Sequence, residues 1–143
     1  ESTSFNQNYK ASIQSNFNKW PNFELGYNAI INDYKNGRVP QTFYTHSPFA
    51  NIDVKFLKHF TFTADWNFYN YSDKANTIEN QYSFLDANLY FRQGDSPWEF
   101  KVQATNILDT EFTNSDSFND ESNSTSQYYV LPRIVMFVVK YDL

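Results

Sequence analysis

Cysteine is absent from the 143 residues. That excludes disulfides, thiolate nucleophiles and cysteine-based zinc sites. Glycine is scarce, with three in the whole chain, so the glycine-rich loops that cradle phosphate have no material to form from. P-loop and dinucleotide fingerprints are missing, as is a nucleophile elbow. The two histidines, His46 and His59, stand alone, and no HExxH spacing exists around them, so no metal or other cofactor is expected. No run of about 18 apolar residues occurs, which excludes a transmembrane helix but not a membrane barrel, whose strands alternate and escape hydropathy scans. There is no basic stripe and the net charge is −5, which argues against nucleic acid as a partner. An enzyme is the class least supported by these absences.

What is present is unusual. The chain carries 15 Phe, 11 Tyr and 3 Trp, yet it is polar on average. Large rings among many Asn, Ser, Thr and Asp fit strands that are apolar on one face and polar on the other. Period-2 alternation is the dominant signal and predicts seven strands, at about 5–19, 22–32, 42–58, 60–71, 81–93, 98–107 and 127–142. The fourth is the clearest: Phe60, Phe62, Ala64, Trp66 and Phe68 oppose Thr61, Thr63, Asp65, Asn67 and Tyr69. Pro48 interrupts the third and is consistent with a bulge there.

The connections alternate in length. They are short at Trp20-Pro21, His59 and 94–97, and long at 33–40, 72–80 and 109–126. In an antiparallel meander all the short ones then fall at one end, which is the asymmetry of outer-membrane barrels with tight periplasmic turns and extended outer loops. The last strand runs toward the short-turn end, placing the C-terminus in the periplasm. Most of the segments reach the roughly 9–11 residues that span a bilayer when tilted. A soluble β-sandwich would need tight turns at both ends and Greek-key connections. The expected fold is therefore all-β: an antiparallel up-and-down meander of about seven strands forming the C-terminal part of a transmembrane β-barrel. The chain opens at Glu1-Ser2-Thr3 with neither initiator Met nor signal peptide, which reads as a processed protein or a C-terminal fragment.

Two stretches carry a family resemblance. Asn106-Ile107-Leu108-Asp109-Thr110-Glu111-Phe112 is similar to the Asn-Leu-Phe-Asp-x-x-Tyr pattern that closes the penultimate strand of TonB-dependent outer-membrane receptors. Leu131-Pro132-Arg133, followed by the alternating strand to Leu143, resembles that family's closing Pro-Arg strand. Leu143 departs from the usual terminal aromatic. The resemblance implies a share of a barrel of about 22 strands in the bacterial outer membrane, importing a bulky nutrient: glycan, peptide or siderophore. The abundance of Asn, Tyr and Phe is similar to the SusC-like branch. Implied partners are outer-membrane lipid, the remaining strands and plug of the same receptor, a surface lipoprotein, and an energy-coupling periplasmic protein reached through an N-terminal part that this sequence does not contain. The alternatives are a non-transporting outer-membrane barrel of an adhesion or secretion complex, and a soluble β-sandwich binding module.

Site expectations follow from the alternation. Phe62, Trp66, Leu89, Phe100, Val102, Phe137, Val139 and Tyr141 are expected to face lipid. Phe137, Val139, Tyr141 and Leu143 resemble the C-terminal signal read by barrel-assembly machinery. In the polar 109–126 stretch, Phe112 and Phe118 are candidates to stack on a ligand, with Asp116 and Asp120 beside them. With Glu121 these carboxylates could hold calcium, but the EF-hand pattern is absent and a solvated outer loop is the better reading. Trp20, Trp98 and Phe60 are expected to form an aromatic girdle at the short-turn end, with Tyr69, Tyr71, Tyr128 and Tyr129 at the other. Lys19, Lys58 and Lys140 near the short-turn end can snorkel to headgroups. Asp65 and Asp86 read as lumen-lining charges balanced by Lys55, Arg92 or Lys101, not as a catalytic pair.

Overall fold

A computed structural model describes residues 2–17, 21–36, 39–75, 77–118 and 123–142. Every regular element among them is a β-strand: β1 (Ser2–Gln14), β2 (Asn22–Asn36), β3 (Val39–Phe56), β4 (Phe60–Asp73), β5 (Glu79–Arg92), β6 (Trp98–Thr105), β7 (Phe112–Phe118), β8 (Asn123–Tyr129) and β9 (Ile134–Tyr141). Seven of them form one antiparallel sheet in the order β1-β2-β3-β4-β5-β6-β9, and β7 pairs with β8 alone. The sheet is an up-and-down meander. It is not closed, and β1 and β9 are its edges.

Register decides which residues share a face, because directly opposed residues of an antiparallel pair point the same way. The pairing keeps every apolar alternation in phase across the sheet. Phe23 faces Ile52, Ile52 faces Ala64, Ala64 faces Ala87 and Ala87 faces Ala104. Val54, Phe62, Leu89, Val102 and Phe137 form the next row, and Phe56, Phe60, Phe91, Phe100 and Val139 the one beyond. A slip of one residue anywhere would have sent a strand's rings to the polar side. The seven strands thus build a single two-faced sheet, apolar on one side and rich in Asn, Ser, Thr and Asp on the other.

Among the described residues no second layer packs on that apolar side. Among the described residues the one buried hydrophobic side chain is Phe43, 2% exposed, and it lies on the polar face, in register with Asn32 and Asp73. On the edge strands its residues are open, with Ile13 at 74% and Phe137 at 66%, and on the inner strands most are partly buried against their neighbours. Among the described residues the other sheet is the β7–β8 hairpin, and no second layer of a sandwich formed by them covers this face.

Three expectations need correction. The segments 33–40 and 72–80 are not long loops: β2 and β3 run on to Asn36 and from Val39, and β4 and β5 on to Asp73 and from Glu79. Tyr34 and Val39 are good strand formers, and the polarity of their neighbours made the segments look like loops. Strands that overshoot the apolar band at this end replace the expected difference in loop length. Second, Pro48 makes no bulge: β2 and β3 stay in one register across it, with Pro48 opposite Tyr27. Its missing N–H falls where the β3–β4 ladder skips between His46–Asn70 and Phe49–Asn67. Third, the seventh strand is not continuous from 127 to 142. Residues 127–129 belong to β8, residues 130–133 are extended without strand pairing, and β9 begins at Ile134.

The polar face has one close approach that only glycine permits. A Cβ on Gly26 would lie 2.2 Å from the Phe49 ring, which covers its cross-strand partner and carries Lys10 Nζ 5.5 Å from its centroid. The ring thereby shields backbone that glycine leaves bare. Gly26→Ala is expected to displace the ring, whereas in a Phe49→Ala background the same change is neutral or stabilising. A double-mutant cycle on unfolding should return a coupling of about 1 kcal/mol; additive effects would mean that the ring does not depend on the glycine.

Candidate functional site

Three features can do chemical work: the uncovered apolar face, a polar knot between β6 and the hairpin, and the polar face.

The apolar face is bounded at the short-turn end by linked rings. Phe56 stacks on Phe60 at 5.4 Å, Phe60 meets Phe91 at 4.8 Å, Phe91 meets Phe100 at 6.2 Å, and Trp98 packs on Tyr141 at 4.7 Å. At the other end the same face carries Tyr27, Tyr44 and His46. His46 lies 5.9 Å from the Tyr27 ring and 6.4 Å from Tyr44, and its Nδ1 shares a hydrogen bond with the Tyr27 hydroxyl. Between His46 and Phe56, this face of β3 shows only Pro48, Ala50, Ile52 and Val54. That stretch covers about 33 Å of strand at roughly 3.3 Å per residue. At its centre Ala50 and Ala64 leave a hollow of about 490 Å³ walled by Phe23, Ile52, Trp66 and Leu85. Trp66 satisfies its indole N–H on Ser83 Oγ of the neighbouring strand at 2.9 Å.

All eight residues expected to face lipid lie on this one face: Phe62, Trp66, Leu89, Phe100, Val102, Phe137, Val139 and Tyr141. The girdle residues divide differently. Phe60 and Trp98 join the short-turn rings, while Trp20, like Lys19, lies outside the described residues. Tyr69 and Tyr71 are on the polar face, each in register with a β5 residue of that face, because they sit at odd positions of β4 opposite to Phe68. The apolar-face rings of that end are Tyr27 and Tyr44 instead. Tyr128 and Tyr129 are in β8, paired with Thr113 and Phe112. On β9, Phe137, Val139 and Tyr141 share a face of an edge strand, and Leu143 lies outside the described residues.

The knot forms where β6 ends. Asn106 and Asp109 both take left-handed backbone angles (φ +50° and +60°), which Asn and Asp tolerate best among non-glycine residues. Asn106 is 5% exposed. Its backbone N–H donates to Asp86 Oδ1 at 2.8 Å, its side-chain amide donates to the carbonyls of Thr110 and Leu131, both at 2.9 Å, and its Oδ1 accepts from Thr110 N–H at 2.9 Å. Asp109 accepts from Arg133 N–H at 3.3 Å and pairs with the Arg133 guanidinium at 3.0 Å. Beyond the knot the chain leans on β5 again, through Ile107 N–H to Leu85 O at 2.8 Å and Asn114 to Asn80 at 2.8 Å. The stretches 106–109 and 131–133, far apart in sequence, are therefore bonded to each other. Because the Asp109–Arg133 pair is half exposed, Arg133→Ala is expected to cost less than about 1 kcal/mol in equilibrium unfolding; a larger loss would mean that the pair, not Asn106, holds the knot.

The expected outer loop is mostly the β7–β8 hairpin. Phe112 opens β7 opposite Tyr129, Asp116 pairs with Thr125 and Phe118 with Asn123, while Asp120 and Glu121 lie outside the described residues. Alternating rings and hydroxyl residues suit a hairpin as well as a loop, and the polar composition hid it. No cluster of three metal-ligating side chains occurs among the described residues.

On the polar face Asp65 and Asp86 are directly opposed, but two of the three expected counter-charges go elsewhere. Arg92 pairs with Asp142 at 3.3 Å and Glu99 at 4.0 Å, Lys101 sits 5.1 Å over the Tyr90 ring, and Asp86 accepts the Asn106 backbone N–H instead. At the short-turn margin a hydrogen bond from Lys140, 2.9 Å away, holds the Asp142 carboxyl below the usual carboxylate range. Toward the other end this face carries stacked ring pairs, Tyr69 on Tyr82 at 5.0 Å and Phe43 on Tyr71 at 5.7 Å. Sequence reasoning missed this group, although rings at odd positions of β4 and even positions of β5 were its signal. Comparison with protein-family models, with curated proteins and with solved structures yields no match.

Proposed function

We propose that the chain is part of the outer-membrane β-barrel of a TonB-dependent receptor that imports a bulky nutrient. The observation that carries this is the apolar face: seven strands in phase, ring-bounded at both ends, with no second layer among the described residues packed over it. In water such a face would be an aggregation hazard, whereas hydrocarbon satisfies it and the ring-lined margins suit the interfaces. The open edges at β1 and β9 need partners, and further strands of the same receptor supply them. The bonded contact between the Asn106–Asp109 and Leu131–Arg133 stretches adds support, because these two stretches carry the family resemblance. The polar face then lines a wet lumen around the plug, and energy for import comes from a periplasmic partner.

The test uses the full-length protein in vesicles whose lipids are brominated along the acyl chain. Trp66, near the centre of the band, is expected to be quenched most by deep bromines, and Trp98 by shallow ones. If a detergent-free, monomeric protein shows both tryptophans open to acrylamide, the membrane assignment fails.

A further inference from the structure

The hollow at the centre of the apolar face differs from flat lipid-facing surface. Ala50 and Ala64 leave about 490 Å³ between Phe23, Ile52, Trp66 and Leu85, and its walls are apolar throughout. Side chains around an unfilled void forfeit dispersion contacts. A chain of methylenes lying in the hollow restores them on several sides at once, which flat sheet does not offer.

Polar groups lie at one end of this hollow. Four residues from Ala50 along β3, about 13 Å at roughly 3.3 Å per residue, stands His46. Its Nδ1 shares a hydrogen bond with the Tyr27 hydroxyl, and among the described residues its Nε2 takes no hydrogen bond. With the hydroxyl donating to Nδ1, the ring proton sits on Nε2, where a phosphate oxygen accepts it. Beyond His46 the same face carries charges of both signs. Asp33 and Lys35 are on β2 and Glu79 is on β5, while Lys74 follows β4 with its backbone N–H on Thr42 O. Asp33 accepts from Thr42 and Glu79 from Gln81, neutral donors that leave both charges in place. Two lysines and two carboxylates cancel. A head group with a phosphate and an ammonium finds a partner for each, whereas a purely anionic one also meets the two carboxylates.

We propose that this face holds one zwitterionic phospholipid, with an acyl chain in the Ala50–Ala64 hollow and its phosphate on His46 Nε2. The inference rests on the barrel reading, which supplies the lipid, and adds a fixed place for one molecule of it.

The test is native mass spectrometry of the full-length protein taken from vesicles of phosphatidylethanolamine and phosphatidylglycerol in equal parts. One phosphatidylethanolamine is expected to stay bound. Ala64→Phe, which fills the hollow, should lower that occupancy about tenfold, and His46→Phe, which removes the donor, about threefold. Ala104→Phe, on the same face but outside the hollow, should leave it unchanged. No retained lipid, phosphatidylglycerol retained instead, equal occupancy in the parent and Ala64→Phe, equal loss in Ala104→Phe, or a dimer that Ala64→Phe dissolves would overturn it. Circular dichroism checks that each variant keeps its strands. Failure here with Trp66 still quenched by deep bromines and Trp98 by shallow ones leaves the barrel assignment standing. Phosphatidylethanolamine held by a protein that is monomeric and soluble without detergent, and released by Ala64→Phe, would keep the site and remove the barrel.

Discussion

Arginine in place of Ala64 is expected to destabilise the folded protein in lipid vesicles by about 2–4 kcal/mol, the cost of a cation near the bilayer midplane on a barrel's outer face. Ala64 sits midway between Phe60 and Phe68 on β4 and faces Ile52 and Ala87, so a long side chain relieves the penalty only partly by reaching toward either margin. The neighbouring substitution Thr63→Arg is the control. Thr63 points to the polar face opposite Asp53 and Asn88, where a cation gains a nearby carboxylate and should change stability by less than about 0.5 kcal/mol. The sign of the difference is what matters. On a face open to water, Ala64→Arg would be neutral or improve solubility, and Ala64 and Thr63 would behave alike. Urea unfolding in vesicles, monitored by tryptophan emission, reads both.

How much of this was legible in the sequence depends on the range of the interaction involved. Period-2 alternation is local, so the seven strands of the sheet and their faces came through: Phe62, Leu89, Val102 and Phe137 were assigned to the apolar faces of their strands without any knowledge of pairing, and the register then sets them in one row. Strand ends did not, because Tyr34 and Val39 stand among residues as polar as those of a loop and only their ladder partners make them strand. The hairpin at 112–129 was hidden for the same reason. Tyr69 and Tyr71 were expected in an aromatic girdle, and they stand on the polar face instead, because composition does not say on which face a tyrosine stands. The partners of Arg92 and Lys101 were beyond reach, since the choice among several carboxylates and rings is made by side-chain geometry across strands. Asn106 was recognised as part of a motif but not as a buried junction; an isolated Asn gives no sign that it will bond four groups from three parts of the chain.

That junction is where a single atom-scale change should matter most. Asn106→Ala removes the side-chain bonds to Thr110 N–H, Thr110 O and Leu131 O and leaves those groups in a site that is 5% exposed at Asn106 itself. Each orphaned group costs about 1–3 kcal/mol, the effects are not additive, and alanine at φ +50° adds about 1 kcal/mol of backbone strain. The expected loss is about 3–5 kcal/mol in equilibrium unfolding. Asn106→Gly separates the two causes: it accepts the left-handed angle freely, so it should recover about 1 kcal/mol of the loss while the bonds stay broken. Amide exchange locates the damage, because Ile107, Thr110 and Val130 N–H, which bond Leu85, Asn106 and Glu111, should lose protection before the β2–β4 ladder does. If Asn106→Ala unfolds within about 0.5 kcal/mol of the parent, the contact between the two motif stretches is incidental, and one support for the receptor assignment goes with it. If the loss is as large as expected, the spacing of Asn106 and Asp109 has a physical reason: two left-handed residues turn the chain out of β6 so that one can clamp the carbonyl before Pro132 and the other can hold Arg133, which sets where β9 begins.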